Sequence, residues 1–291
     1  MRYLHRRHPE GPEPVTPWSA PRLLVLFGGL LAVVMALVAG LGYLIYTSLT
    51  GPNPTAAVTA SRPSIAQMDS GRALGMEQRN AIAAAPMQAV DPNAMFPSAP
   101  AVTPGRALIV PTSTQTGADD ITTGFPHTPA GSLAQLAAIL HQVLTQMSLP
   151  DTAQIYDDWA LPGGVGEQAW DATAAVASFL TSVKGTSVLP VGVSVGAVPA
   201  AGIIKGTDGP DWTLACVLIQ FTATANQTAS VGLAFCDRMQ WVPDPHIPAA
   251  GGRWEIAPGA APAPAPSVWP GTTLAQQVGW LAWSPMMGVG S

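Results

Sequence analysis

Residues 23–46 contain no charged side chain and are almost wholly apolar. A helix of that length reaches about 36 Å at 1.5 Å per residue, enough to cross a hydrocarbon core of roughly 30 Å with some tilt. Arg2, Arg6, Arg7 and Arg22 precede it and the next basic residue is Arg62, so the bias of positive charge places the N-terminus in the cytoplasm. Tyr43 and Tyr46 stand where interfacial aromatics belong. The competing reading is a cleaved signal peptide with Val58-Thr59-Ala60 as its small-residue site. An apolar core of about 7–15 residues is usual there, and this one is much longer, so a retained anchor is expected. Gly28, Ala32, Ala36 and Gly40 recur every fourth residue and place a small-residue ridge on one face. Such a ridge permits close helix approach and a homo-oligomer, or is merely the mark of an Ala/Gly-rich span.

Everything after the anchor is then extracytoplasmic. From residue 49 onward eight Lys/Arg stand against fifteen Asp/Glu. Charged residues are only 10% of the chain, against roughly 25% in ordinary soluble proteins. An acidic body with few clustered cations is a poor phosphate-binding surface, so direct nucleic-acid binding is not expected.

Residues 47–120 show no sustained period and are rich in Pro, Ala, Ser and Thr. They read as a disordered linker, with one candidate helix over 73–85 and a short strand at Ala107-Leu108-Ile109-Val110 that could dock on the domain. Seventy flexible residues span on the order of 45 Å, which holds a domain clear of a membrane.

The folded domain is expected over 121–258. Thr128 caps a helix with Pro129 in its first turn, or Ser132 caps it with Gln135 three residues on. Leu133, Leu136, Ala137, Leu140, Leu144 and Met147 then form one apolar stripe, and Pro150 ends it. A second helix is expected over 166–183, with Trp170, Ala174, Ala177 and Leu180 along one side. The period then changes from 3.6 to 2, and strands are expected over 189–204, 212–222, 230–241 and 253–256. If the middle two form an antiparallel hairpin centred on Asn226, Val217 faces Phe235, Ile219 faces Leu233 and Phe221 faces Val231. The same register sets Cys216 opposite Cys236 on the other face, and a one-residue slip destroys both patterns. Outside the cytoplasm these cysteines can be a disulfide; otherwise they are two small core thiols. The fold class is α+β, with helices packed on a curved antiparallel sheet. A Pro/Trp-rich arm occupies 259–291, partly polyproline II, and either wraps its own domain or reaches a neighbour.

Candidate chemistry is sparse. Gly192-Val193-Ser194-Val195-Gly196 matches a nucleophile-elbow pattern, and Asp244 and His246 come later in hydrolase order. That motif requires a strand-to-helix turn, whereas Ser194 sits in a β-alternating run with Pro199 close behind. Asp119-Asp120 and Asp157-Asp158 are adjacent pairs of the kind that rarely converge on a metal unaided. His127, His141 and His246 lack the partners a transition metal needs. No catalytic, metal or cofactor residue is therefore assigned, and an enzyme is not expected.

The layout of short cytoplasmic tail over 1–22, one membrane helix, linker and external domain resembles the bitopic inner-membrane scaffold proteins of type IV secretion and conjugation systems. The phrases Gly124-Phe125-Pro126-His127-Thr128-Pro129-Ala130-Gly131 and Ala265-Pro266-Ser267-Val268-Trp269-Pro270-Gly271-Thr272 look like those of uncharacterised actinobacterial membrane-anchored proteins. The resemblance implies a nuclear-transport-factor-2-like external domain and a non-catalytic role among other envelope-complex subunits. A tethered module that binds a lipid or small hydrophobic ligand between helix and sheet is the alternative.

Overall fold

The computed structural model describes residues 74–244 and 251–285. The expected span at 23–46 and its ridge of Gly28, Ala32, Ala36 and Gly40 lie outside the described residues. Among those that are described, no helix is long and apolar enough to cross a membrane.

The described chain is a mixed α+β structure built on a six-stranded, mainly antiparallel sheet. Its helices are α1 (Met76–Ala84), α2 (Pro129–Gln146), α3 (Leu149–Trp159), α4 (Asp171–Ser182) and the short α5 (Thr273–Gln277). Thr128 provides the cap of α2, its hydroxyl accepting from Gly131 N at 3.1 Å, while the Ser132 hydroxyl donates to the Pro129 carbonyl. All six residues of the expected apolar stripe are buried. Pro150 does more than end that helix. Ser148 caps α3 at once, and Pro150 takes a first-turn position where its missing N–H costs nothing. On α4 the buried face is Ala172, Thr173, Val176 and Leu180, and Ala174 is exposed.

The strands are β1 (Ala107–Val110), the short pair β2 (Gln115–Thr116) and β3 (Thr122–Thr123), then β4 (Ser194–Thr207), β5 (Trp212–Thr224), β6 (Thr228–Pro243), β7 (Gly252–Ile256) and β8 (Leu281–Pro285). The large sheet runs β1-β8-β4-β5-β6-β7 and is antiparallel except where β1 and β8 run parallel. The β5–β6 register pairs Val217 with Phe235, Ile219 with Leu233, Phe221 with Val231 and Cys216 with Cys236, as the alternation of apolar residues demands.

Both faces of this sheet are covered. Against one lie α2, α3 and α4, whose Leu136, Leu140, Ile155, Trp159 and Val176 close over Val217, Ile219, Phe221, Phe235, Met239 and Trp254. The other face carries Cys216, Leu218 and Cys236, buried by Val268, Ala275, Val278 and Trp280 of the C-terminal arm. The cysteines form a disulfide there, with Cα atoms 4.0 Å apart, the close spacing of directly opposed strand residues. Strand β4 serves both layers because a bulge between Pro199 and Ala201 reverses its alternation. Ala197 opposes Phe221 on the helix side, while Ala201 opposes Leu218 on the arm side.

The segment expected as a free linker over 47–120 is, in its described part, packed on the domain. Arg79 of α1 pairs with Asp208 at 2.6 Å, and Asp208 also accepts from the Leu74 and Gly75 amides. Ile82 and Ala83 pack beside Trp212 and Leu214, and β1 joins β8. An aperiodic segment hides such docking because each anchor is a single contact.

The arm wraps its own domain. Beyond Met239, strand β6 has β7 on its outer side; before that the arm takes over, and Ser267 Oγ accepts from Ala234 N at 3.1 Å. Trp269 N donates to Ala94 O, and Trp280 Nε1 donates to Pro266 O at 3.1 Å. Gly232 permits this approach: a Cβ there would collide with the Val268 carbonyl. A Pro-rich strap suits that place, since it covers a strand edge without offering another edge of its own.

Candidate functional site

The bulge that reverses β4 also divides the sheet. Strand β8 pairs with β4 only through Ala201 and Gly202, then runs beside β1 as far as Val110 and Pro285. Between Pro199 on one side and Trp283 on the other a cleft of about 240 Å³ opens onto α2. Its floor is Ala134, Ala137, Ala138 and His141, which share one face of the helix at 3–4 spacing. Small side chains at three of these four positions create the volume. Val110, Phe125 and Trp283 supply apolar walls, while Thr112 and Thr122 stand among the lining residues with exposed side chains.

His141 fixes the polarity of this cleft. Its Nδ1 lies 2.6 Å from the Ala197 carbonyl, which can only accept, so Nδ1 carries the proton. In the neutral ring Nε2 is then an acceptor. Among the described residues no Lys or Arg lines the cleft.

A second, narrower cavity is lined by Tyr156, Trp170, Asp171, Asp237 and Arg238, with about 20 Å³ of room, the size of a single water. Asp237 occupies a helix-facing position of β6 between Phe235 and Met239, and Trp170 Nε1 donates to its two oxygens at 3.3 and 3.2 Å. Burial pushes its carboxyl up to about 7; the Trp170 hydrogen bond opposes that shift and Asp171 adds to it. Arg238 lines the same cavity but sends its guanidinium to Ala260 O and Asn80 Oδ1, both at 2.9 Å. Tyr156 accepts from Gly166 N at 3.1 Å, and burial raises its phenol above the ordinary range.

Of the residues singled out in the sequence, His141 lines the cleft and the others fall elsewhere. Ser194 opens β4 opposite Thr224, in strand rather than at a strand-to-helix turn. His246 lies outside the described residues. Asp119 and Asp158, from two pairs far apart in sequence, are brought near each other, and Asp119 is held above the ordinary carboxylate range by burial first and by Asp158 second. Among the described residues no group of three or more His, Cys, Asp or Glu is placed to hold a metal. His127 stacks on Trp241 at 4.4 Å and pairs with Asp211 at 2.8 Å, while Trp254 Nε1 donates to Pro126 O. The phrase around it is thus a clasp between the start of α2 and the β6–β7 edge, just as 265–272 is the clasp of the arm.

Neither cavity was identified from sequence, although a signal for each was present. Asp237 is an acid in the otherwise apolar alternation Val231, Leu233, Phe235, Met239, Trp241. Ala134, Ala137, Ala138 and His141 form a small-residue stripe beside the leucine stripe of the same helix. No family model, curated protein or solved structure matches the chain.

Proposed function

We propose that this chain is a non-catalytic, membrane-anchored subunit of an envelope-spanning transfer complex of the conjugation or type IV secretion kind, with its domain outside the cytoplasm. The Cys216–Cys236 disulfide carries the reading, because such bonds persist in oxidising compartments and this one comes after an uncharged span preceded by arginines. The resemblance in layout supplies the kind of complex. Two measurements test it. A reporter fused after residue 60 must read out as extracytoplasmic, and solubilised membranes must yield stoichiometric partners with the protein. A cytoplasmic reporter, or recovery of the chain alone, removes the proposal.

The cleft between α2, β4 and β8 favours a second reading, a tethered module that holds a lipid or small hydrophobic ligand. Native mass spectrometry of the protein released from membranes then finds a co-purified small molecule. Bare protein counts against this reading and leaves the first untouched.

A further inference from the structure

On the ligand-binding reading, on which this inference rests, the lining of the cleft defines a chemical preference. Its walls and floor are apolar at Val110, Phe125, Ala134, Ala137 and Trp283. An apolar cavity of about 150 Å³ already accepts benzene, so the 240 Å³ here suits a short acyl chain. Beside the exposed Thr112 and Thr122 hydroxyls, the lining holds one ring nitrogen of fixed character, His141 Nε2. With Nδ1 of His141 donating to Ala197 O, Nε2 is an acceptor whenever the ring carries a single proton.

We propose that this cleft binds a short single-chain amphiphile with an uncharged hydroxyl head, the chain lying along α2 against Phe125 and Trp283 and the hydroxyl donating to His141 Nε2. An ionised carboxylate is the wrong head. It has no proton to give to an accepting Nε2, and among the described residues no Lys or Arg lines the cleft to compensate its charge. A plain hydrocarbon fills the same volume and gives the imidazole no hydrogen bond, leaving the exposed ring to solvent. The hydroxyl is therefore the head that completes the site.

The preference is measurable on the full chain in lipid nanodiscs, using a short alkyl alcohol that carries a diazirine. After photolysis the label is expected on peptides that contain Ala134, Ala138 or His141 and on the peptide containing Trp283. Octanol should suppress that labelling at roughly fivefold lower concentration than octane or octanoate, the worth of one hydrogen bond. His141→Ala should keep the labelling and abolish the advantage of octanol over octane. Ala138→Phe, at a half-buried position, should fill the cleft and remove the label, with an unchanged melting curve as evidence of folding. If octane competes as well as octanol in the unaltered chain, hydroxyl recognition is overturned while apolar binding in the cleft stands. Label spread over the protein with none concentrated at these peptides overturns the ligand-binding reading as well.

Discussion

Trp170 and Asp237 meet across the interface of helix layer and sheet, the indole N–H donating to a carboxyl that stands only 8% exposed. The nearest other ionisable groups of that cavity are Tyr156, Asp171 and Arg238, and Arg238 is engaged with Ala260 and Asn80. The Trp170 hydrogen bond offsets only part of the cost of ionising Asp237, so its affinity for a proton is part of the stability of the domain.

That linkage predicts a dependence on pH. The carboxyl is raised from the ordinary aspartate range to about 7 in the folded chain. The folded state thus holds a proton that the unfolded state has released. Its contribution is complete below the ordinary range and is lost as pH rises toward 7, on the order of 4 kcal/mol across the window. Asp237→Asn keeps the acceptor for Trp170 and removes the titration. Melting temperatures measured between pH 4 and 8 should fall less steeply with rising pH in the variant, which should be the more stable chain at pH 8. Parallel curves for the two proteins would show that Asp237 does not titrate in this window.

The disulfide sets a second expectation. It closes a sequence separation of 20 residues, and the chain-entropy model assigns such a loop about 3 kcal/mol. Replacing both Cys216 and Cys236 by Ala should lower unfolding free energy by about that amount, read by urea titration. The loss should be larger than for reduction of a surface bridge, because the arm packs on these sulfurs and Ala leaves a void beneath Val268 and Trp280.

At the N-terminal side, Arg79→Ala tests the docking of α1. Asp208 is buried; burial favours its neutral form, but the Arg79 guanidinium and the Leu74 and Gly75 amides outweigh that and hold its carboxyl below the ordinary range. Losing one partner of such a pair costs about 3 kcal/mol or, if α1 lifts away, the docking itself. Limited proteolysis should then cut within 74–85 at a much higher rate, with the core of the domain preserved. An unaltered cleavage pattern would mean that Ile82 and Ala83 hold the helix without the ion pair. The same contact should weaken in acid, as pH falls through the depressed folded-state value of Asp208.

Gly232→Ala tests the strap. The added methyl would strike the Val268 carbonyl, so the arm must move or the strand must bend. A cost of about 1–3 kcal/mol is expected, with amide exchange accelerating at Ala234 and Trp269 before it does in β5. Uniform acceleration over the whole domain would place the strap within a single cooperative unit.

Periodic signals were legible without the fold. The leucine stripe of α2, the change to alternation after Gly185 and the single register that satisfies both the apolar face and the cysteine pair all stem from local geometry, since side chains repeat every 3.6 residues in a helix and every 2 in a strand. What had no period had no voice. The docking of 74–120 depends on Arg79 finding Asp208, and the strap depends on Gly232 leaving space for Val268. The cleft exists because one bulge in β4 turns Ala201 to the opposite face from Ala197 and releases the edge that His141 then meets. Sequence alone determined which residues share a face in α2 and in the β5–β6 pair; the buried face of α4, the reversal within β4 and the choice of which faces meet were decided only by the tertiary structure, because contacts between distant segments are selected by shape and by buried charge, neither of which repeats along the chain.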